Sequence, residues 1–122
     1  MNVADLVERY NDAWNRQDLD TIHELHDPDV VFHNHTADER AAGAEPVRAH
    51  IAEIFRNNPT LRFTTRSLQT GDDFAVCEWT ANVERDGRTL EWEGVDVFPI
   101  RNGRIARKDV YSASHRARER PG

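Results

Sequence analysis

The stretch Trp92-Glu93-Gly94-Val95-Asp96-Val97-Phe98-Pro99-Ile100 predicts a β-strand that carries one acid on its inner face. Successive side chains of a strand point to opposite faces, so Asp96 lies on the face opposite Glu93. The residues that share its face are apolar: Trp92, Phe98 and Ile100. A carboxyl group in an apolar interior loses water, which raises its pKa towards values useful for proton transfer. Asp96 is therefore a candidate catalytic residue, and a structural aspartate held by hydrogen bonds is the alternative.

Three hairpin signals surround this strand and predict an antiparallel meander. They are Gly71-Asp72, Asp86-Gly87 and Asn102-Gly103. The strands that they separate are predicted near residues 61–70, 74–84, 89–101 and 104–113, with an earlier strand over 30–35.

The first half of the chain is helical by periodicity. The first predicted helix follows the cap Asn2, the second follows the cap Asp18, and the third has Pro46 in its first turn. Helices segregated from strands predict an α+β fold. We expect a cone-shaped, curved antiparallel sheet with the three N-terminal helices packed on its concave face, and an apolar pocket at its mouth.

Composition predicts one domain over residues 1–114, followed by a polar, frayed C-terminal tail over 115–122. The chain has 16 Lys and Arg against 22 Asp and Glu, so nucleic acid is not an expected partner. No apolar run reaches the length of a membrane span, and no signal peptide is predicted. The single cysteine, Cys77, is expected to be a small buried residue, and a cytoplasmic location is expected.

The chain resembles the nuclear transport factor 2-like superfamily, and within it the SnoaL-like and ketosteroid-isomerase-like members. The segments that carry the resemblance are Val7-Glu8-Arg9-Tyr10, Trp14-Asn15-Arg16-Gln17-Asp18-Leu19-Asp20, Asp29-Val30-Val31-Phe32-His33-Asn34 and Gly94-Val95-Asp96-Val97-Phe98. The resemblance implies the fold and a homodimer that pairs through the outer sheet face. It does not choose among isomerases, dehydratases, cyclases, hydrolases and binding proteins.

Similarity to the ketosteroid isomerases implies that Tyr10 and Asp96 are oxyanion-hole donors. Asn34 stands where that family has its carboxylate base, and an amide cannot accept the proton. Similarity to the SnoaL-like polyketide cyclases implies that Asp96 is both acid and base in an aldol ring closure. The limonene-epoxide-hydrolase-like branch also resembles the chain near Asn34 and Asp109. Its Arg-x-Asp pair is replaced by Trp79-Thr80-Ala81, so epoxide opening by that pair is not expected.

His33 and His35 share a strand face and are candidates for the missing base, because imidazole titrates near neutrality. They could also bind a metal with His50 or Asp109 as a third ligand. No further ligand at motif spacing completes such a set, so we expect no metal.

These observations predict a cofactor-free enzyme that acts on a small, apolar, carbonyl-containing molecule through an enolate, in aldol cyclisation, isomerisation or dehydration. The expected catalytic residues are Asp96, Tyr10, Asn34, His33 and His35. The expected substrate-binding residues are Trp14, Phe32, Phe55, Trp79, Trp92, Phe98 and Asp109. The alternative is a non-catalytic ligand-binding or assembly protein of the same fold, in which Asp96 is structural.

Overall fold

Three helices precede and flank a seven-stranded sheet in the computed structural model, which describes residues 1–120. The helices are α1 (Val3–Arg16), α2 (Leu19–Leu25) and α3 (Ala44–Asn57). The strands are β1 (His26–Asn34), β2 (Glu39–Ala42), β3 (Arg62–Thr70), β4 (Phe74–Arg85), β5 (Arg88–Arg101), β6 (Arg104–Ser112) and β7 (Arg118–Glu119). Within residues 1–120, no helix is long and apolar enough to cross a bilayer.

The two predicted N-caps are confirmed by their hydrogen bonds. The Asn2 side-chain oxygen accepts from the backbone N–H of Asp5 at 2.8 Å. The Asp18 carboxylate accepts from the backbone N–H of Thr21 at 3.1 Å. Each bond satisfies a donor that the first helical turn leaves free, and so fixes where α1 and α2 begin.

The sheet is curved and unclosed, with the strand order β2-β1-β6-β5-β4-β3, and β7 pairs with β5. The α+β class and the three helices are confirmed. The expectation of a wholly antiparallel sheet is wrong, because β1 pairs parallel to β6. Hairpin signals predict pairing only between strands that follow one another in the sequence. Because most of the chain separates β1 from β6, no such signal predicts that these two strands pair. The predicted turns Asp86-Gly87 and Asn102-Gly103 have positive φ at both positions, as tight hairpins of right-handed twist require.

Two short strands were not predicted from the sequence. β2 pairs with β1, and β7 pairs with β5 through Leu90 and Glu119. The expected frayed tail therefore differs from the structure, since a 3₁₀ turn at Ser114–Arg116 and β7 return the chain to the sheet. Two- to four-residue strands carry too little alternation to be recognised. Pro121 and Gly122, the end of the predicted tail, lie outside the described residues.

Helix α1 packs its apolar face against β3 and β4. Its buried residues are Leu6, Val7, Tyr10, Ala13 and Trp14. Removing a large apolar side chain from water contributes about 1.5–3 kcal/mol each. Cys77 on β4 is buried, as predicted, and burial raises the pKa of its thiol.

A buried hydrogen bond joins α1 to β1. The Tyr10 hydroxyl lies 2.8 Å from Nε2 of His26, and the two rings also pack together. Burial, followed by the nearby charge of Lys108, lowers the pKa of His26 to about 3. Burial also raises the pKa of Tyr10, so the pair is neutral near neutral pH.

His26 should make folding stability depend on pH between about 6.5 and 3. Its pKa is lower in the folded chain than in the unfolded chain, where it is near 6.5. The unfolded chain therefore binds more protons in this interval, so the contribution of His26 is complete above about pH 6.5 and declines as the pH falls. The free energy of unfolding should differ less between wild type and His26→Asn as the pH falls. From about pH 6.5 to about pH 4.5, urea unfolding should show this difference shrinking by about 2–3 kcal/mol.

The control for this measurement is His115→Asn, because His115 is exposed. Its pH profile should follow that of wild type. Parallel profiles for wild type and His26→Asn would contradict a buried neutral His26.

Gly94 leaves room for the indole of Trp79, its cross-strand partner. A methyl group on Gly94 would lie 2.3 Å from the Trp79 ring. Gly94→Ala should therefore displace a buried tryptophan and lower the free energy of unfolding by about 1–3 kcal/mol, measured by denaturant titration. Gly71→Ala is the matched control, since the atoms nearest its methyl group belong to Phe74, which is 45% exposed rather than buried. An equal loss in both variants would refute this account.

Candidate functional site

A cavity of about 280 Å³ lies on the inner face of the sheet. Its volume is near the lower end for small-molecule sites. Five aromatic residues line it: Trp14, Phe32, Phe63, Trp79 and Trp92. Polar and charged residues line it as well: Asn34, Glu39, His50, Asn58, Arg85, Asp96, Lys108, Ser112 and Ser114.

Asp96 points into the interior, as predicted, and is only 4% exposed. Its Oδ2 atom accepts a hydrogen bond from Lys108 Nζ at 3.3 Å. Among residues 1–120, its Oδ1 atom has no hydrogen-bond partner. Burial raises the pKa of the Asp96 carboxyl, while Lys108 and the nearby Trp79 indole oppose that rise. A buried carboxylate oxygen without a partner is rare in folded proteins, and the Trp79 indole nitrogen is another such polar atom in the described chain.

Lys108 is a site residue that the sequence reasoning missed. Strand alternation in β6 places it on the same face as Val110, and both residues line the cavity. Its Nζ atom lies 4.2 Å from the ring centre of Trp14, 5.1 Å from that of Tyr10 and 5.3 Å from that of Phe98. The sequence does contain a signal for this residue, because Lys108 interrupts the apolar residues on the inward face of a predicted strand. Lys108 is also the only lysine of the chain.

The Asp96–Lys108 pair is costly to bury. Its side chains are 6% and 7% exposed, and each charge loses several kcal/mol of hydration in such surroundings. Aromatic faces supply part of the compensation for an ammonium group. Removing one partner from such a pair costs about 3–5 kcal/mol, because the other charge stays buried alone. A buried pair that faces an open cavity is a candidate for proton transfer.

Tyr10 does not line the cavity, which corrects its expected place as a donor to the reacting oxygen. It is fully buried, and its hydroxyl is held by His26. The resemblance matched Tyr10 to the oxyanion-hole tyrosine of the ketosteroid isomerases. In this chain, however, the Tyr10 hydroxyl has His26 as its hydrogen-bond partner in the core. Tyr10 instead packs edge-on against Phe98.

Asn34 lines the cavity at the end of β1. Its side-chain oxygen accepts from the backbone N–H of Ala37 at 3.1 Å. An amide has both an acceptor and two donors, so this bond leaves the amide N–H groups as the part that can serve a ligand.

His33, His35 and Asp109 lie together on the outer face of the sheet, because they alternate with cavity-lining neighbours. His33 is in register with Asp109, and His35 Nε2 lies 2.8 Å from Asp109 Oδ1. This placement corrects the expectation that the histidines serve as bases at the pocket and that Asp109 binds substrate. An outward side chain cannot reach a ligand on the other side of the sheet.

The same three residues could hold a metal, since their ligand atoms lie within 4.8 Å of one another. The Arg107 guanidinium, however, binds both oxygens of Asp109, at 2.9 and 3.1 Å. It lowers the pKa of this carboxyl together with His35, and its positive charge opposes a cation there. His50, the other ligand considered, lines the inner cavity and is not part of this group.

The aromatic residues expected to bind substrate divide into two sets. Trp14, Phe32, Trp79 and Trp92 line the cavity. Phe55 and Phe98 are buried behind it, where Phe55 packs edge-on against Trp14 with ring centres 5.1 Å apart. Periodicity predicts that a residue lies on the inner face. It does not predict whether the side chain lines the cavity or is buried in the core beside it. Phe63, which is not in the expected substrate-binding set, also lines the cavity.

A second, small chamber adjoins Asp96 and Lys108. Its volume is about 20 Å³, enough for about one water molecule. Polar groups around it include the side chains of Asn11, Thr65 and Cys77. The chamber therefore offers a polar position next to the buried pair.

Solved structures with the same fold were found by structural comparison. A candidate SnoaL-like polyketide cyclase from Jannaschia sp. CCS1 has a TM-score of 0.80 at 19% identity, covering 90% of this chain and 84% of that one. A candidate ketosteroid isomerase from Kribbella flavida DSM 17836 has a TM-score of 0.79 at 18% identity, covering 96% and 80%. Bal32a, from a soil-derived mobile gene cassette, has a TM-score of 0.82 at 22% identity, covering 93% and 91%. At these identities the likeness concerns the fold.

No curated protein matches the chain by sequence. The family model of the SnoaL-like domain matches residues 7–108, which include most of α1, most of the sheet and both members of the Asp96–Lys108 pair. This match extends over most of the chain and agrees with the structural comparisons. The chain therefore belongs to the SnoaL-like domain family, which has the fold of nuclear transport factor 2-like proteins.

Proposed function

We propose that this protein is a cofactor-free enzyme that moves a proton at the carbon next to a carbonyl group of a small apolar molecule. The observation that carries the proposal is the buried Asp96 carboxyl at the cavity wall, of which one oxygen is held by Lys108 and the other has no hydrogen-bond partner among residues 1–120. Aldol cyclisation, double-bond isomerisation and dehydration share this step.

Asp96 is the proton acceptor and later the donor in this proposal. A carboxyl whose pKa is raised by burial is a stronger base than an exposed one and is more readily kept protonated for the return step. Its Oδ2 atom is held by Lys108, which leaves Oδ1 to approach the substrate carbon.

The carbonyl group needs a partner that withdraws electrons as the proton leaves. Lys108 and the amide of Asn34 both face the cavity and replace Tyr10 in this role. Donors held in a dry site are effective because they need no reorganisation as charge develops, and one such donor contributes about 3–4 kcal/mol to lowering a barrier.

The cavity wall supports a flat or aromatic substrate. Five tryptophan and phenylalanine residues line it, and its volume of about 280 Å³ suits a small molecule. Shape and contact with these rings contribute to recognition, together with the polar groups around the carbonyl group.

A ligand-binding protein without catalysis is the second candidate. Asn34 favours it, since this position carries an amide where the ketosteroid isomerases have a carboxylate base. In that case small ketones would raise the melting temperature without any isotope exchange.

Asp96→Asn should abolish proton transfer. It should also lower the free energy of unfolding by about 3–5 kcal/mol, because Lys108 stays buried without its partner, so circular dichroism checks that the variant folds. Wild type, incubated in deuterium oxide with a panel of small aryl and cyclic ketones, should exchange hydrogen at the carbon next to the carbonyl. The amide cannot accept a proton, so the exchange rate, followed by NMR, should fall by roughly 10²–10⁴-fold in the variant.

Glu93→Gln is the matched control, because Glu93 lies on the same strand but is exposed on the outer face. Its exchange rate should equal that of wild type. Exchange by Asp96→Asn at the wild-type rate would remove Asp96 from the mechanism. A panel on which wild type gives only the buffer rate would favour the binding protein.

We further propose a homodimer that forms through the outer sheet face. This face carries the half-buried Val95 and Val97 and the 46% exposed Tyr111. Sedimentation velocity should give a dimer at micromolar concentration. Val95→Arg should shift it to monomer, since an unpaired charge would enter the interface, whereas Thr70→Arg at the end of edge strand β3 should not. A monomeric wild type would end this proposal.

A further inference from the structure

The only lysine of this chain is the buried one in the cavity. Every other residue among its 16 Lys and Arg is an arginine. Positive charge alone does not distinguish the two, since both carry it near neutral pH. Only the lysine side chain has an amine that can form a covalent bond with a carbonyl carbon.

We propose that Lys108 forms an imine with the carbonyl substrate. This inference rests on the proposed function, and it names the way in which Lys108 withdraws electrons: through a covalent bond to the carbonyl carbon. The substrate class is correspondingly narrowed to small apolar aldehydes and ketones whose carbonyl group can reach Nζ at the inner end of the cavity.

Asp96 is placed to handle the protons of this reaction. Lys108 Nζ has one hydrogen bond among the described residues, to Asp96 Oδ2 at 3.3 Å. Transfer of a proton along this bond leaves a neutral amine and a neutral carboxylic acid. In surroundings of low polarity a neutral pair avoids the hydration that two buried charges lose.

The remaining steps balance without any added oxidant or reductant. The Nζ lone pair attacks the carbonyl carbon and the carbonyl oxygen takes the proton from Asp96. The nitrogen, now positively charged, then gives one of its protons to the Asp96 carboxylate, which leaves a neutral carbinolamine and a protonated Asp96. Loss of the hydroxyl group as water, with a proton returned by Asp96, forms a protonated imine. The Asp96 carboxylate then removes the proton from the neighbouring carbon, and the electron pair moves to give an enamine. Reprotonation and addition of water reverse the sequence and release the carbonyl product.

The surroundings of Nζ suit both the amine and the protonated imine. Four aromatic rings lie within 6.0 Å of it, and cationic nitrogen is attracted to their faces. The chamber of about 20 Å³ borders both Asp96 and Lys108, and its size fits the one water molecule that imine formation releases and hydrolysis consumes.

Reductive trapping tests the proposal directly. The probe is benzaldehyde with sodium cyanoborohydride, which reduces an imine to a stable secondary amine. Intact mass spectrometry and peptide mapping of wild type should show one benzyl group on Lys108. The sequence has no other lysine, so the amine to be compared with Lys108 is the α-amino group of the protein used in the assay, and mapping separates the two sites.

Lys108→Arg and Lys108→Met are the matched variants, the first keeping the charge and the second the length of the side chain. Both should keep only the label on the α-amino group, and circular dichroism checks that they fold. The proposal would be overturned if residue 108 of wild type stays unlabelled with benzaldehyde and with every ketone of the panel.

A second isotope separates this proposal from the proposed function. Imine formation and hydrolysis replace the carbonyl oxygen, so wild type in water enriched in heavy oxygen should label the ketone oxygen faster than either Lys108 variant. Hydrogen exchange without enhanced oxygen exchange would refute the imine and leave proton transfer by Asp96 standing. If wild type enhances neither hydrogen exchange nor oxygen exchange, both proposals are refuted.

Discussion

The buried contact between Asp96 and Lys108 is the constraint on which the site depends. The two residues lie on the neighbouring strands β5 and β6, and their side chains meet on the inner face at 3.3 Å. Neither charge is tolerable there alone, so each requires the other and both require the sheet to keep its register. A slip by one residue would turn both side chains outward and leave an apolar face in their place.

The rest of the fold keeps this contact dry on one side and open on the other. Helix α1 covers it with Trp14, and the Tyr10–His26 bond ties that helix to β1. Gly94 gives the Trp79 indole its space on the inner face. These contacts are independent of one another, but each affects the polarity around the Asp96 carboxyl group and the Lys108 amine.

The sequence predicted much of the fold because its local signals agree with one another. Caps at Asn2 and Asp18, hairpin turns and strand alternation each specify contacts between near neighbours, and these were confirmed. The parallel pairing of β1 with β6 and the short strand β7 depend on distant partners, for which no local signal exists. For the site, alternation correctly placed Asp96 inward, but resemblance to known enzymes drew attention to Tyr10 and away from Lys108. Alternation, applied consistently, would also have placed His33 and His35 on the face opposite Phe32.

The use of arginine in place of lysine everywhere except at position 108 has a consequence for chemical exposure. Aldehydes and ketones modify lysine side chains wherever they meet them, and a surface rich in lysine would accumulate such adducts. The surface of this protein offers guanidinium groups instead, so its positive charge is kept without a pool of reactive amines. A carbonyl compound can meet a side-chain amine of this chain only by entering the cavity, where aromatic walls select it by size and shape first.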